Sequence, residues 1–547
     1  MHNRAMRWTS TLAISVIIAI AMCAHYVHVE HPAYIWDFTG YWGGFQAYGY
    51  MFSTSPLGTI ATVFQQIRTA DYNPAPVLGL LPFYFLFGED RTPYIIAIAV
   101  AYLIPAALVM TLMVARVAKI EASVALFAIC ATIPALWMPS LRGQPDIVGI
   151  IFLAGATLLL FKSNFLKQSP LKFGAAIGLC LYAPFLLRRW YAYSIVLFVA
   201  CALVIGVWQR MADRQPARSV LSLCVGLCTA IVVFVVFLVA FQSDFALRAI
   251  TTSYSELYGA YQTTFTKHVM LVSDRASILT IGLMAVGSVI AVRRLNFEAV
   301  FCLCAGVGTF LLFIRTQYMG LHHSLPIFMW LSPLMIVALE GLVRKTRLTF
   351  SFVAACSVLI LLIATSSFSR NLGYGGRLLF PAFDMTPLHL DNYQEYQRLT
   401  ADLEGKVTDG SKAAVFASSA NLSDSLLAAL NPKLKASLIA MPHIAAVQGF
   451  PREILDAQYV VVATPDQSHL APGTQENVLL PGRWILSGTG LGGAYSRVSE
   501  YSLQKGVTAF LYRRARAITE EERRQLFNEL ARLYPNMPAL FPKYIGT

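Results

Sequence analysis

The stretch TLAISVIIAIAMCAHYVHVEHPAYIWDFTGYW, residues 11–42, runs from a long apolar segment straight into an aromatic one that carries a single acid. The apolar segment near 8–27 has the length of a bilayer-spanning helix, which needs about 17–25 residues. Asp37 follows Trp36 and precedes Tyr41 and Trp42. No small-residue cleavage site separates the two segments, so the sequence predicts a retained membrane anchor followed by an aromatic outer loop.

Composition extends this interpretation to the whole chain. The 547 residues are 56% hydrophobic and 13% charged, whereas an ordinary soluble domain is about 25% charged. Residues 1–366 contain 24 Lys and Arg against 13 Asp and Glu, and residues 367–547 contain 18 against 16. A basic membrane half suits anionic or phosphate-bearing lipids as partners. Because no compact basic soluble module is present, nucleic acid is not an expected partner.

The apolar runs predict about eleven transmembrane helices. They lie near 8–27, 92–115, 120–138, 146–161, 171–187, 191–208, 219–241, 275–292, 298–314, 324–342 and 349–366. Every second loop is rich in Lys and Arg, which places those loops in the cytoplasm and the tail outside. The run 76–88 is short and contains Pro82, so we interpret it as lying in the interface within one long outer loop, 28–91.

The C-terminal part of the chain is predicted to form a separate domain. We predict a transmembrane domain over 1–375 and a C-terminal soluble α/β domain over 376–547. Apolar runs that are typical of strands cover 413–418, 436–441, 457–465 and 507–514. Thr519 and Glu522 have the spacing of a capping box, which predicts the start of a helix.

With this topology, the polar and charged residues of the outer loops become informative. The candidates for substrate contact there are Tyr41, Trp42, Tyr72, Arg142, Arg188, Arg189, Lys267, His268, Arg315, His322 and His323, together with the acids Asp37 and Asp146. Outer arginines are unexpected under the positive-inside rule. A phosphate at the outer interface would explain them, because guanidinium groups bind phosphate oxygens at two points. The alternative is that Arg188 and Arg189 reach ordinary lipid headgroups.

The order of these features resembles the membrane glycosyltransferases of the GT-C superfamily. The resemblance is carried by a short cytoplasmic N-terminus, one span, an aromatic first outer loop with Asp37, the segment YNPAPVLGLLPFYFLFG at 72–88, and Asp146 in the next outer loop. That superfamily includes protein O-mannosyltransferases, lipid A aminoarabinose transferases, oligosaccharyltransferases and mycobacterial arabinosyltransferases. The resemblance covers roughly residues 1–366, and the tail does not match the jelly rolls of the arabinosyl branch.

The resemblance implies a function and a site. Asp37 corresponds to the catalytic acid of the first outer loop, and Asp146 to the second acid, which holds a divalent cation in some relatives. Neither acid belongs to a D-x-D or D-x-E pair, so use of Mg²⁺ or Mn²⁺ stays open. The donor would be a polyprenyl-phosphate-linked sugar and the acceptor a glycan, lipid or protein. We expect the inner membrane of a bacterium, with the tail in the periplasm.

The chemistry assigns Asp37 the role of general base. A carboxylate among aromatic side chains is desolvated, which makes it a better proton acceptor, and direct displacement would invert the anomeric centre. The alternatives are a transporter or flippase of a lipid-linked glycan, an O-antigen ligase or polymerase, and a membrane assembly partner without catalysis. Ligases and polymerases of that kind depend on a large outer loop late in the chain, whereas this chain has its long outer loop first. A transporter would ordinarily carry ionisable groups near the membrane midplane, whereas these spans carry almost none.

Overall fold

The computed structural model describes residues 2–162, 169–253, 258–366, 374–407, 410–442, 450 and 452–535. The chain forms two compact units. The first comprises Met1–Val29, Gly40–Ser253 and Thr263–Pro387, and the second comprises Glu30–Thr39, Tyr254–Gln262 and Leu388–Thr547. Two short stretches of the predicted transmembrane domain thus group with the C-terminal unit, and the long segment of that unit begins after residue 376.

The described residues of the first unit form helices joined by turns and loops, without a strand. Its helices up to residue 162 are His2–Val29, Asp37–Thr54, Pro56–Thr69, Ala75–Leu78, Leu81–Phe87, Arg91–Ala97, Ile104–Ala118, Val124–Ala131, Pro134–Leu141 and Val148–Lys162, with a π-helical turn at Ile98–Leu103. The following helices are Pro170–Leu187, Ala192–Ala212, Ala217–Thr251, Phe265–Ser273, Ile278–Arg293, Phe297–Phe313, Leu325–Lys345 and Phe350–Ala364. Serine, threonine or asparagine side chains cap several N-termini, for example Ser123 and Thr349.

The protein is a polytopic α-helical membrane protein. Among the described residues, seven helices are long and apolar enough to cross a membrane, or nine if two bent pairs each count as one span. The remaining two predicted runs form the shorter apolar helices Phe297–Phe313 and Phe350–Ala364. All eleven runs are therefore helical, while eleven as a count of spans stays a prediction. Residues 76–88 form short helices, neither of which meets the criteria for a span.

Close helix packing in the first unit depends on small residues. Gly174 and Gly178 lie one turn apart on helix Pro170–Leu187, facing helix Ala217–Thr251. A Cβ at Gly174 would collide with the carbonyl oxygen of Gly226, and one at Gly178 with that of Ala230. Small residues at this spacing let two backbones approach in a membrane, where dispersion forces hold helices together.

The C-terminal unit is a small α/β domain with apolar cores on both faces of one sheet. The strands are β1 (Ala413–Phe416), β2 (Tyr459–Thr464), β3 (Tyr495–Ser502) and β4 (Thr508–Arg514), in the spatial order β1-β2-β4-β3. β1 and β2 are parallel, while β4 is antiparallel to β2 and to β3. The helices are Tyr393–Lys406, Asp424–Leu430, Glu476–Ser487 and Glu520–Leu533.

Successive side chains of a central strand point to opposite faces of the sheet, which explains the two cores. Val460 and Val462 enter one core with Leu526, while Val461 enters the other with Leu399. The predicted strand at 436–441 is wrong: its residues follow a 3₁₀ turn and make only an isolated bridge from Leu438 to β1. The predicted capping box is confirmed, because the Thr519 and Glu522 side chains each accept a hydrogen bond from the other residue's backbone N–H.

Candidate functional site

Asp146 lies in a 3₁₀ turn, Pro145–Ile147, that leads into helix Val148–Lys162. Pro145 suits this first helical position because it needs no N–H donor there. The Asp146 side chain is fully buried, and its Oδ1 is 2.6 Å from Nε of Arg188. The indole N–H of Trp190 donates to the same oxygen at 3.1 Å. The carboxylate is therefore matched by a cation and a second donor, as a buried charge requires.

Arg188 joins three separate segments of the first unit. It follows helix Pro170–Leu187 in an extended conformation, with φ of −152°, and its side chain is 6% exposed. Besides the Asp146 ion pair, the guanidinium carbon lies 4.7 Å from the ring centre of Tyr41. Its Nη2 lies 3.3 Å from Nε2 of His322. Both Asp146 and Arg188, predicted from sequence as outer-face residues, thus meet in one buried contact.

The two histidines occupy a 3₁₀ turn, Leu321–Ser324. Nδ1 of His323 accepts the backbone N–H of Gly320 at 3.0 Å. Arginine can only donate, so Nε2 of His322 is the acceptor from Arg188 and the proton of a neutral His322 is on Nδ1. That buried Nδ1 has no hydrogen-bond partner within the described part of the chain. His322 therefore presents an unused donor beside a guanidinium.

Arg275 completes this group, and the sequence analysis did not single it out. It lies between helices Phe265–Ser273 and Ile278–Arg293 and is 3% exposed. Nη2 donates to the carbonyl oxygen of Met319 at 2.5 Å, while Nε and Nη1 lack a hydrogen-bond partner among the described residues. Its charge acts electrostatically on both His322 and His323. An unpaired buried cation is costly, so an anionic ligand fits this position.

We call the six residues Asp146, Arg188, Trp190, Arg275, His322 and His323 the basic cluster. Trp190 packs its ring 5.7 Å from His322 and 5.2 Å from His323, measured between ring centres. It also stacks on Tyr191, whose hydroxyl donates to the Asp146 carbonyl at 2.8 Å. The cluster therefore has two guanidinium groups, one carboxylate and a rigid aromatic wall.

A second ionic group borders the basic cluster. Asp71 lies 2.8 Å from Nη1 of Arg189 and 3.3 Å from Nη2 of Arg248. The ring of Tyr72 lies beneath both arginine groups, with its centre 5.5 Å from the guanidinium carbon of Arg188 and 5.3 Å from that of Arg189. These side chains are partly exposed, so this ion-pair group contributes less per contact than the buried one.

Two predicted site residues have structural contacts of their own. Arg142 is buried and donates from Nη2 to the carbonyl oxygens of Asp384 and Thr386, both at 3.1 Å. Trp42 donates its indole N–H to the Glu89 carbonyl at 2.9 Å. These contacts tie backbone segments together, which explains the two residues without a substrate.

Four predicted site residues do not belong to the basic cluster. Lys267 and Arg315 are exposed, and His268 is buried in helix Phe265–Ser273. None of the three has a hydrogen bond, ion pair or ring contact with the basic cluster among the described residues. Asp37 is half-buried, begins helix Asp37–Thr54 and groups with the second unit. A carboxylate there is favoured by the helix dipole.

The described residues do not provide a metal site. No group of three His, Cys, Asp or Glu side chains among them is placed to hold an ion. Asp146 is matched by Arg188 and Trp190, which is the environment of a carboxylate held by donors. The donor set therefore does not fit the divalent cation that the resemblance left open.

Comparison with known proteins gives structural neighbours only. No family model matches the sequence, and no curated protein sequence matches it. The chain is similar to ArnT from Cupriavidus metallidurans bound to undecaprenyl phosphate, at 11% identity and TM-score 0.49, covering 92% of this chain and 98% of that one. It is similar to arabinofuranosyltransferase AftD from Mycobacteria, at 14% identity and TM-score 0.45, covering 94% of this chain and 40% of that one.

A third similar structure is the archaeal oligosaccharyltransferase AglB from Archaeoglobus fulgidus, in complex with an inhibitory peptide and a dolichol-phosphate. Identity is 13% and the TM-score 0.44, covering 94% of this chain and 74% of that one. Oligosaccharyl and arabinosyl transferases are among the groups that the sequence resembles. With TM-scores below 0.5, these are likenesses of chain fold, and the site is interpreted from its own side chains.

Proposed function

We propose that this integral membrane protein is a glycosyltransferase that takes sugar from a polyprenyl-phosphate-linked donor. The observation that carries the proposal concerns two buried groups of the basic cluster that lack a hydrogen-bond partner among the described residues: Nε and Nη1 of the Arg275 guanidinium, and Nδ1 of His322. Both are donors, and both lie in a cluster whose only carboxylate is already held by Arg188. A phosphate would satisfy these donors and the excess positive charge together.

The reaction follows from what such a site can stabilise. An acceptor hydroxyl oxygen attacks the anomeric carbon, and the bond from that carbon to the phosphate oxygen breaks. The polyprenyl phosphate leaves with the bonding electrons, and its developing charge meets Arg188 and Arg275. Fixed donors in a site with little water stabilise such charge efficiently. Displacement in one step inverts the anomeric centre.

The two acids take different roles in this proposal. Asp37 is the general base that removes the acceptor's hydroxyl proton, because a half-buried carboxylate among aromatic residues is available for proton transfer. Asp146 is a positioning residue, because its charge is used in holding Arg188 and Trp190. Arg189 and Tyr72 border the donor phosphate. No step uses a metal ion.

We place the reaction on the periplasmic face of a bacterial inner membrane, with the C-terminal unit on the same side. This orientation rests on the Lys- and Arg-rich loops that the sequence places in the cytoplasm. Membrane lipids surround the spans, and the acceptor is a glycan, a lipid or a protein.

The test is a transfer assay with purified full-length protein and a panel of polyprenyl-phosphate sugars, with mass analysis of the products. We expect product from the unaltered protein and its loss in Asp37→Asn, while both bind polyprenyl phosphate and neither binds polyprenol. A flippase would bind the phosphate and give no product with any donor. An assembly partner would give no product even from the unaltered protein, so Asp37→Asn would change nothing. Equal binding of polyprenol would remove the basic cluster from the mechanism.

A further inference from the structure

The segment of residues 376–386 follows the last predicted span and belongs to the first unit. We call this segment the strap. It begins within a 3₁₀ turn, Tyr374–Leu378, and Met385 near its other end is buried in the apolar core of the first unit. Phe380 and Phe383 pack against the same core. The strap is therefore held on the first unit at several points along its length.

Two contacts join the strap to Asp274, the residue that directly precedes Arg275. Nη2 of Arg377 lies 2.7 Å from Oδ1 of Asp274, and the backbone N–H of Phe383 donates to the Asp274 carbonyl oxygen at 2.8 Å. The side chains of Arg377 and Asp274 are 38% and 34% exposed, and an ion pair exposed to this degree adds little to stability. Its effect on a neighbouring charge can therefore be measured separately from unfolding.

The strap also contacts the loop that leads to Asp146. The carbonyl oxygens of Asp384 and Thr386 in the strap each accept from Nη2 of Arg142 at 3.1 Å. Arg142 lies four residues before Asp146. The strap is thus bound to the segments that carry both Asp146 and Arg275, which are the carboxylate and the unpaired guanidinium of the basic cluster.

A carboxylate beside Arg275 matters because it competes with an anionic ligand. Nε and Nη1 of Arg275 have no hydrogen-bond partner among the described residues, and the negative charge of Asp274 acts on this guanidinium. Such interactions are strong where little water screens them. An unpaired carboxylate at Asp274 would offset the positive charge that attracts an anion, whereas a carboxylate held by Arg377 is largely neutralised.

We infer that Arg377 is a positioning residue of the proposed phosphate site, because it holds the Asp274 carboxylate and so leaves Arg275 available to an anionic ligand. Arg377 acts through Asp274 and does not touch the phosphate itself. The inference rests on the proposed function, since the anion in question is the phosphate of the lipid-linked donor. Two other roles for Arg377 give different results in the experiment below, namely direct contact with the phosphate and a purely structural tether for the strap.

The experiment is a double-mutant cycle on the purified full-length protein, with binding of polyprenyl phosphate and of polyprenol as the two readouts. Arg377→Met should weaken binding of polyprenyl phosphate roughly tenfold, because it leaves a negative charge beside the site, and should leave binding of polyprenol unchanged. Asp274→Asn should bind polyprenyl phosphate at least as tightly as the unaltered protein. The double variant should recover the binding that Arg377→Met loses, because no carboxylate is left to compete. Arg377→Lys, which keeps the charge, should bind almost normally.

The matched control is Arg116→Met, which breaks a partly exposed ion pair with Glu298 at 2.9 Å, in a loop that the sequence places in the cytoplasm. It should bind polyprenyl phosphate as the unaltered protein does. A double variant that stays as weak as Arg377→Met would mean direct contact with the phosphate, and an equal loss of polyprenol binding would mean a structural tether. Either result overturns the inference, as does normal phosphate binding in Arg377→Met.

Sugar transfer by the same variants separates this inference from the proposed function. Transfer by the unaltered protein together with normal phosphate binding in Arg377→Met would contradict the role of Arg377 alone. The expected binding cycle without transfer from any donor would contradict the glycosyltransferase proposal alone. If the unaltered protein binds polyprenol as tightly as polyprenyl phosphate, Arg275 holds no phosphate and the inference is overturned.

Discussion

The basic cluster of the membrane unit and a neutral hydrogen-bonded network of the C-terminal unit satisfy their polar groups in different ways. In the neutral network, Gln467 accepts from Ser419 and Gln475 accepts from Ser468, at 2.7 and 2.6 Å. In the basic cluster, Arg275 keeps two guanidinium nitrogens without a partner among the described residues. A polar network whose members bond to one another stabilises the fold. A buried charge without a counter-charge lowers stability, and we expect such a charge to be kept for the ligand that it binds.

The comparison also separates two kinds of charge within the membrane unit. Arg188 is paired with Asp146 at 2.6 Å, and Arg275 is not paired with any acid among the described residues. Removing the partner of a paired buried charge should destabilise the protein, while removing an unpaired one should not. Each prediction below tests one side of this difference.

The largest effect is expected from Asp146→Asn. It leaves Arg188 buried without its counter-charge, and breaking a buried pair in this way costs about 3–5 kcal/mol. Thermal unfolding in detergent should therefore occur at a clearly lower temperature. The double variant Asp146→Asn with Arg188→Met removes both charges and should recover most of the loss without recovering polyprenyl-phosphate binding. Equal unfolding temperatures for the single and double variants would contradict the pairing argument.

Arg275→Met should separate stability from activity. Loss of one charge-stabilising donor typically lowers turnover by about 10²–10³-fold, so sugar transfer should fall by that order. Because the replaced charge is unpaired, the unfolding temperature should stay the same or rise. Arg294→Met is the matched control, since Arg294 is exposed at the other end of the helix that follows Arg275. A fall in stability with transfer retained would make Arg275 structural.

The sequence predicts part of this arrangement and misses part of it for a physical reason. Hydropathy locates the apolar helices because lipid selects composition over a whole segment. Arg188 was found because an arginine on the outer side breaks the positive-inside rule, and Asp146 was found because the resemblance places an acid in the second outer loop. The contact of Arg188 with His322 was not predictable, since the two residues are 134 positions apart in the chain and meet only through helix packing. Arg275 begins an apolar run, and arginine at a span is itself a signal of function.

The small domain shows the same limit at a smaller scale. Buried strands such as β2 consist almost entirely of apolar residues and can be recognised in the sequence. The predicted runs at 413–418, 457–465 and 507–514 each contain a strand. Strand β3, YSRVSEYS, was missed because it is an edge strand with mostly exposed side chains and a bulge between Arg497 and Ser499. The run at 436–441 was assigned as a strand for its apolar content, which instead serves packing beside β1.

In the neutral network, Gln475→Ala should reduce stability without reducing binding of polyprenyl phosphate. The substitution takes away the acceptor of the Ser468 hydroxyl and of the His469 backbone N–H. Leaving buried polar groups unsatisfied costs about 1–3 kcal/mol. Hydrogen exchange should accelerate in β1 and β2, while polyprenyl-phosphate binding stays unchanged. Gln525→Ala, at an exposed position, is the control and should alter neither. Weaker phosphate binding in Gln475→Ala would contradict the separation of the neutral network from the basic cluster.

The smallest effect is expected at an exposed ion pair, where water competes with the partner. Both guanidinium nitrogens of Arg516 donate to Glu522, at 2.6 and 2.9 Å, and this pairing lowers the pKa of Glu522 to about 2. An unfolded glutamate has a pKa of about 4.3. Because the folded pKa is the lower one, the contribution to stability is present above about pH 4.3 and is lost as the pH falls toward 2.

Amide protection of helix Glu520–Leu533 should fall across that range in the unaltered protein. Glu522→Gln should show weaker protection at neutral pH and a flatter pH dependence, and Glu520→Gln should keep the original one. A flat dependence in the unaltered protein would mean that the pair adds nothing, so that only the buried pair of Asp146 and Arg188 counts toward stability.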